Sequence, residues 1–157
     1  MKNPALSLSL AVAFAACSSS GPQSGSTAAP GHGAVAISID PNPILAKPAS
    51  GNMYEFPFEA IVRETGGRPI DVQRVSVTVY APGGFALGNE SWDANRIRSM
   101  GHSTSLGPNS EARYRFSPRR EVPDDRLFNG VSAQLTVHAI DDAGQTTSAS
   151  TVVTVRR

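Results

Sequence analysis

The sequence predicts an all-β fold, an antiparallel β-sandwich of about seven strands over residues 34–157. Three observations carry this. Apolar and polar residues alternate with period two in six stretches, which sends one set to each face of a sheet. Turns rich in Gly and Pro separate the stretches. No stretch places apolar residues at helical spacing over an ordinary helix length.

The elements follow in order. Ala34 to Asp40 alternates with Val35, Ile37 and Ile39 on one face, and Pro41-Asn42-Pro43 stops it. Ile44 to Asn52 reads as an irregular connection through Pro48 and Gly51. Met53 to Glu64 places Tyr54, Phe56, Phe58, Ala60 and Val62 on one side, which predicts a main core strand. Pro57 lacks an N–H, so a bulge or an edge is expected there.

After the turn at Thr65–Pro69, Ile70 to Tyr80 carries Val75, Val77 and Val79 on one face. Ile70 and Val72 have the opposite parity, which predicts a kink near Gln73 or a late start. Phe85 to Gly107 has no regular period; Ser91 to Ile97 fits either one helical turn capped by Ser91 or a short irregular strand. Ser110 to Ser117 alternates again, with Ala112, Tyr114 and Phe116 inward. Pro118 to Gly130 reads as a charged loop with Leu127 and Phe128 tucked under.

Val131 to Val155 closes the domain as a hairpin. Val131, Ala133, Leu135, Val137 and Ala139 share a face on the outgoing strand. Thr147, Ala149, Thr151, Val153 and Val155 share one on the return. Between them Asp141-Asp142-Ala143-Gly144 has turn chemistry: Asp caps backbone N–H groups and Gly takes positive φ without steric cost.

Residues 1–16 read as an export signal, with Lys2 ahead of an apolar run from Ala5 to Ala16 that is too short to span a bilayer. The run ends Phe14-Ala15-Ala16-Cys17, which resembles the bacterial lipobox, although Phe14 stands where Leu is usual. That resemblance implies lipid attachment at Cys17, a membrane partner through this anchor, and an outer-membrane address where the host has one. An ordinary signal peptide with a chance Cys is the alternative. Cys17 is the sole Cys, so the chain can form no internal disulfide. Cys17 to Gly33 is dense in Ser, Gly and Pro and reads as a flexible tether. Loss of Lys2 leaves thirteen cations against thirteen anions, which speaks against a nucleic-acid partner.

Two motifs carry a second resemblance. Ala139-Ile140-Asp141-Asp142-Ala143-Gly144 is similar to the penultimate strand and turn of bacterial immunoglobulin-like and fibronectin-III-like domains. Arg63 to Ile70 is similar to an earlier strand–turn–strand joint of such domains. The resemblance spans residues 34–157. It implies an immunoglobulin-like sandwich serving as an interaction or spacer module, with a protein or glycan partner, and fold alone assigns no function.

Candidate chemistry is sparse. His32, His102 and His138 lack metal-ligand spacing. Gly101-His102-Ser103-Thr104-Ser105 lacks the second Gly of a nucleophile elbow. No catalytic residue and no cofactor is predicted. Asp141 and Asp142, with Asp124 and Asp125, are the best cation candidates; the competing reading is that Asp141 caps its own turn. Arg113, Arg115, Arg119 and Arg120 form a candidate basic patch for acidic glycan or anionic lipid, unless they pair with Glu55 and Glu59 across strands. Phe85, Trp92, Arg96 and Arg98 are the candidate binding residues, since Trp and Arg are frequent hot-spot residues. The competing reading places Trp92 and Phe85 over an open end of the core. The expected function is a lipid-anchored, non-enzymatic envelope module; an accessory subunit or inhibitor of an envelope enzyme, acting through its loops, is the alternative.

Overall fold

The structure is a computed structural model that describes residues 27–157. Residues 1–16, read above as an export signal, and Cys17 lie outside the described residues. In chain order the strands are β1 (Val35–Asp40), β2 (Ile44–Leu45), β3 (Lys47–Pro48), β4 (Met53–Glu55), β5 (Phe58–Glu64), β6 (Ile70–Tyr80) and β7 (Ala86–Asp93). A short helix α1 (Ala94–Ser99) follows. Then come β8 (Ser105–Leu106), β9 (Glu111–Phe116), β10 (Arg119–Glu121), β11 (Ser132–Asp141) and β12 (Thr146–Arg156). Asp125–Phe128 is a single 3-10 turn.

These strands form the all-β sandwich that the alternation predicts. One layer is a six-stranded sheet in the order β2-β12-β11-β6-β7, with β8 also pairing to β6. The facing layer consists of two three-stranded pieces, β1-β5-β9 and β10-β4-β3. The closing hairpin buries the expected faces, and its register pairs Ala133 with Val153, Leu135 with Thr151, Val137 with Ala149 and Ala139 with Thr147. All eight are buried. Gly144 has φ +80, as its turn requires. Val35, Ile37 and Ile39 of β1, Phe58, Ala60 and Val62 of β5, and Tyr114 and Phe116 of β9 pack from the other layer. Among the described residues the buried core cluster runs from Val35 to Val155 and joins both layers.

The irregularity near Gln73 appears as a bulge, whereas at Pro57 the single strand expected over Met53–Glu64 is broken in two rather than bulged. At Phe56-Pro57 the chain leaves one ladder and joins another: β4 pairs with β3 and β10, while β5 pairs with β1 and β9. Proline's missing N–H makes this the point where a ladder can be abandoned at little cost. In β6, Val72 and Arg74 oppose consecutive residues Ala139 and His138, so Gln73 is the extra residue of a bulge. That bulge lets Val72 and Val75 both reach the core despite their opposite parity.

Several expectations need correction. Ile44 to Asn52 is not wholly irregular: Ile44 and Leu45 pair parallel with Val155 and Arg156, an exception to the antiparallel pattern. Phe85–Gly107 contains an eight-residue strand and a helix, and Asp93 rather than Ser91 caps the helix, accepting the Arg96 N–H at 2.8 Å. Pro118–Gly130 contributes β10; Phe128 packs on the core, but Leu127 stays exposed. The predicted tether ends earlier than Gly33. The Thr27 N–H donates to the Ser148 carbonyl at 3.1 Å, and His32 and Gly33 both hydrogen-bond to Asp141.

Candidate binding site

At one end of the sandwich two buried carboxylates organise the loops. Glu64, 1% exposed, ends β5. Its Oε1 accepts the N–H groups of Gly66 at 2.6 Å and Ala34 at 3.3 Å; its Oε2 accepts those of Asn109 at 2.8 Å and Gly67 at 3.0 Å. Gly66 has no room for a side chain, since a Cβ would lie 2.2 Å from the His32 carbonyl oxygen. Burial pushes the Glu64 carboxyl up, but its four backbone donors outweigh this and hold it below the ordinary glutamate value.

Asp141 holds the neighbouring turn. Its Oδ1 accepts from the Ala143 and Gln145 N–H groups at 2.9 and 2.7 Å. Its Oδ2 accepts from the Gly33 N–H at 3.1 Å and from His32 Nδ1 at 3.0 Å. Burial raises its pKa; the donors from Gln145, Gly33, His32 and Ala143 more than reverse this and hold it at about 2. Asp142 turns away to Arg68, 2.8 Å off. Asp124 caps the 3-10 turn, while Asp125 takes the Tyr54 hydroxyl at 2.6 Å and pairs with Arg157. Arg157 follows the far end of β12, so the four aspartates sit at opposite ends of the hairpin. No cluster of three metal-ligating side chains occurs among the described residues. The hydrogen bonds of Asp141 are those of the turn-capping reading, and the four aspartates do not converge on one site.

Asp141 makes stability pH-dependent in a defined window. A folded-state pKa lowered from 3.8 to about 2 contributes stability that is full above pH 4 and is lost as pH falls toward 2. The melting temperature should fall across this window, and Asp141→Asn should flatten that part of the profile while lowering stability at neutral pH. A variant whose acid limb matches the parent would refute this role.

The candidate basic patch is dispersed and paired. Arg113 and Arg115 lie on the outer face of β9, both bonded to Glu59 of β5 at 2.9 and 3.1 Å. Glu111 bridges Arg113 and Arg63 on the same face. These arginines hold the Glu59 carboxyl below its usual range, the Arg113 hydrogen bond being the largest cause. Arg119 faces Glu55 at 3.9 Å, and Arg120 turns the other way to Glu90 of β7 at 2.8 Å. The cross-strand pairing with Glu59 and Glu55, expected as the competing reading, forms for Arg113, Arg115 and Arg119, but not for Arg120.

The candidate binding residues separate similarly. Trp92 is 3% exposed, stacked on Phe116 with ring centroids 4.1 Å apart. It is a core residue, so it cannot serve as a surface anchor. Phe85, at 75% exposure, does not cover the core and stays available to solvent. Arg96 lies 5.8 Å over the Trp92 ring and bonds Glu90 at 3.3 Å. Arg98 donates to Asn95 and Thr104 at 2.6 and 3.1 Å. At the Gly101–Ser105 segment His102 packs edge-on to Tyr114, and Ser105 donates to Asp71. The Tyr114 hydroxyl donates to the Ser103 carbonyl; burial, with the Asp71 charge, pushes its pKa up to about 12.

The feature that sequence reasoning missed is a cleft between the layers, with a volume of about 320 Å³. Phe56, Phe58 and Phe128 form one wall, and Val77, Val79, Val131 and Ala133 the other. Leu87, Gly88 and Glu90 of edge strand β7 border it on one side, and Arg120, Pro123 and Leu127 on the other. Its origin lies in β7. Cross-strand partners share a face, and Val75, Val77 and Val79 oppose Trp92, Glu90 and Gly88. Only Trp92 fills its core-facing position with apolar bulk. Gly88 leaves its own empty: a Cβ there would meet nothing within 4 Å.

No protein-family model matches this chain, and no curated protein matches it. Solved structures do. A Bordetella pertussis protein assigned as ApaA superposes with a TM-score of 0.54 at 15% identity, over 78% of this chain and 94% of that one. The structural-genomics target SoR45 superposes with a TM-score of 0.52 at 10% identity, over 82% of this chain and 90% of that one. At these identities the likeness is one of fold. It places the chain among small all-β sandwich domains and assigns no activity.

Proposed function

We propose that this chain is a lipid-anchored, non-enzymatic protein of the bacterial envelope, placed at the outer membrane, whose immunoglobulin-like domain is a binding module. The observation that carries the binding role is the apolar cleft, which opens beside exposed Leu87 and Leu127 and has a charged Glu90–Arg120 pair at its border. Ligand sites have this composition: mostly apolar walls with a few placed polar groups. The anchor rests on the lipobox-like run ending at Cys17.

One preparation tests both parts. Native protein isolated from envelope membranes should, when denatured, show loss of residues 1–16 and added acyl mass on Cys17. Under non-denaturing mass analysis it should carry a further bound mass that the Gly88→Leu variant lacks. An unmodified Cys17 removes the anchor. Equal bound mass on both proteins, or none on either, removes the cleft as the binding element.

The exposed Phe85 favours a second reading, in which the β6–β7 turn docks on a protein partner as an accessory subunit or inhibitor would. Phe85→Ser would then abolish capture of that partner while leaving the bound mass unchanged.

A further inference from the structure

We propose that the cleft holds the aliphatic chain of a single-chain fatty carboxylate, with Arg120 receiving the head group; this rests on the reading of the cleft as the binding site. Three observations lead there. The first is the character of the space. A volume of about 320 Å³ would hold about ten waters at their liquid share of ~30 Å³ each, yet water needs two to four polar partners. The walls offer phenylalanine and valine instead. Facing sheets stand only about 10 Å apart, so the gap left where Gly88 lacks a side chain is a narrow slot. A linear chain fits a slot better than a fused-ring or branched body.

The second is the border charge. Glu90 points to the core face of an edge strand, an uncommon place for a carboxylate, and its side chain is only 17% exposed. Two arginines hold it: Arg96 at Oε1, 3.3 Å, and Arg120 at Oε2, 2.8 Å. Arg120 can therefore turn to an incoming carboxylate while Glu90 keeps Arg96. Guanidinium and carboxylate match as a bidentate pair. Glu121 also borders the cleft, but by the alternation of β10 it lies on the Arg119 side of the strand, opposite to Arg120.

The third observation excludes a competing occupant. An edge strand can accept a peptide as an added strand. In β7, however, Leu87 is an extra residue between the Val79–Gly88 and Tyr80–Ala86 pairs, and Glu90 is an inward charge. A bulge and an inward charge are the devices by which edges resist strand addition. The slot behind the edge, rather than its ladder, is the open site.

The experiment uses the chain from Cys17 onward with Cys17→Ser, so that it carries no acyl group of its own. Trp92 is the sole Trp and lies edge-on to Phe58, a wall of the cleft, with centroids 6.2 Å apart. Its fluorescence therefore reports occupancy. Laurate and palmitate, each below its micellar concentration, should give saturable one-site binding. Dodecanol and a lysophospholipid should bind at least tenfold more weakly than laurate. Arg120→Gln should bring laurate and dodecanol to equal affinity. Gly88→Leu, shown folded by an unaltered thermal transition, should weaken every chain at least tenfold. Saturable fatty-acid binding undiminished in Gly88→Leu would overturn the site, and a preference for the alcohol or the lysophospholipid would overturn the head group. If neither fatty acid binds while native protein still carries a bound mass lost in Gly88→Leu, the aliphatic ligand fails and the binding cleft stands.

Discussion

Trp92→Ala is expected to lower the unfolding free energy by about 3–5 kcal/mol. Trp92 is nearly fully buried, opposes Val75 across the β6–β7 ladder, stacks on Phe116 and meets Phe58 edge-on. Its removal strips contacts from both layers at once. The void it leaves would adjoin the cleft through Phe58, which lines both spaces, so the β7 edge has less support for collapse around it. Trp92→Phe should cost less, since it keeps a ring against Phe116. Arg96→Ala should cost under about 1 kcal/mol, the usual size of a cation–π contact at an exposed site. Urea unfolding followed by far-ultraviolet circular dichroism provides the measurement. A Trp92→Ala loss below about 1 kcal/mol would show that Trp92 is not the bridge between the layers.

What the sequence made legible was what alternation encodes. The two buried faces of the closing hairpin follow from parity alone. For β6 parity left a kink near Gln73 or a late start, and the structure takes the kink, because a strand that buries Val72 and Val75 together has to add a residue between them. Strand β7 was illegible for a related reason. Its core-facing positions are Gly88, Glu90 and Trp92, so no apolar alternation marks it, and Gly, Asn and Glu are depleted in strands. The residues that hide the strand from sequence reading are the ones that open the cleft behind it. The carboxylate-centred loops were hidden differently. His32 sits in a Ser-, Gly- and Pro-rich run, and its partner Asp141 lies 109 positions away. Composition describes that run as a tether, and only the fold brings its last residues onto the domain. The basic cluster was legible as charge but not as geometry: β10 sends Arg119 and Arg120 to opposite partners, and β9 aims Arg113 and Arg115 at one glutamate.

Glu64 gives the second large effect, and a graded one. Its two oxygens each accept two backbone N–H groups, from three separate segments: 34, 66–67 and 109. Glu64→Ala leaves all four donors without their acceptor. An unsatisfied buried donor costs about 1–3 kcal/mol, partly relieved where water can enter, so a loss of about 3 kcal/mol or more is expected. Glu64→Gln keeps one carbonyl oxygen for two donors but aims its own N–H₂ at the other two, which places donors against donors. It should therefore lose part of the same stability, and more than a swap of matching shape costs elsewhere. The carboxyl is held below its ordinary value, so its contribution is full above the normal glutamate range and declines as pH falls through the lowered value. Glu64→Gln should lack that decline and show a flatter acid limb. Amide exchange should localise the damage, with protection lost at Ala34, Gly66, Gly67 and Asn109 before the closing hairpin loosens. A Glu64→Ala protein that keeps those four amides protected would mean that the loops hold themselves, and that the buried carboxylate is not what ties them together.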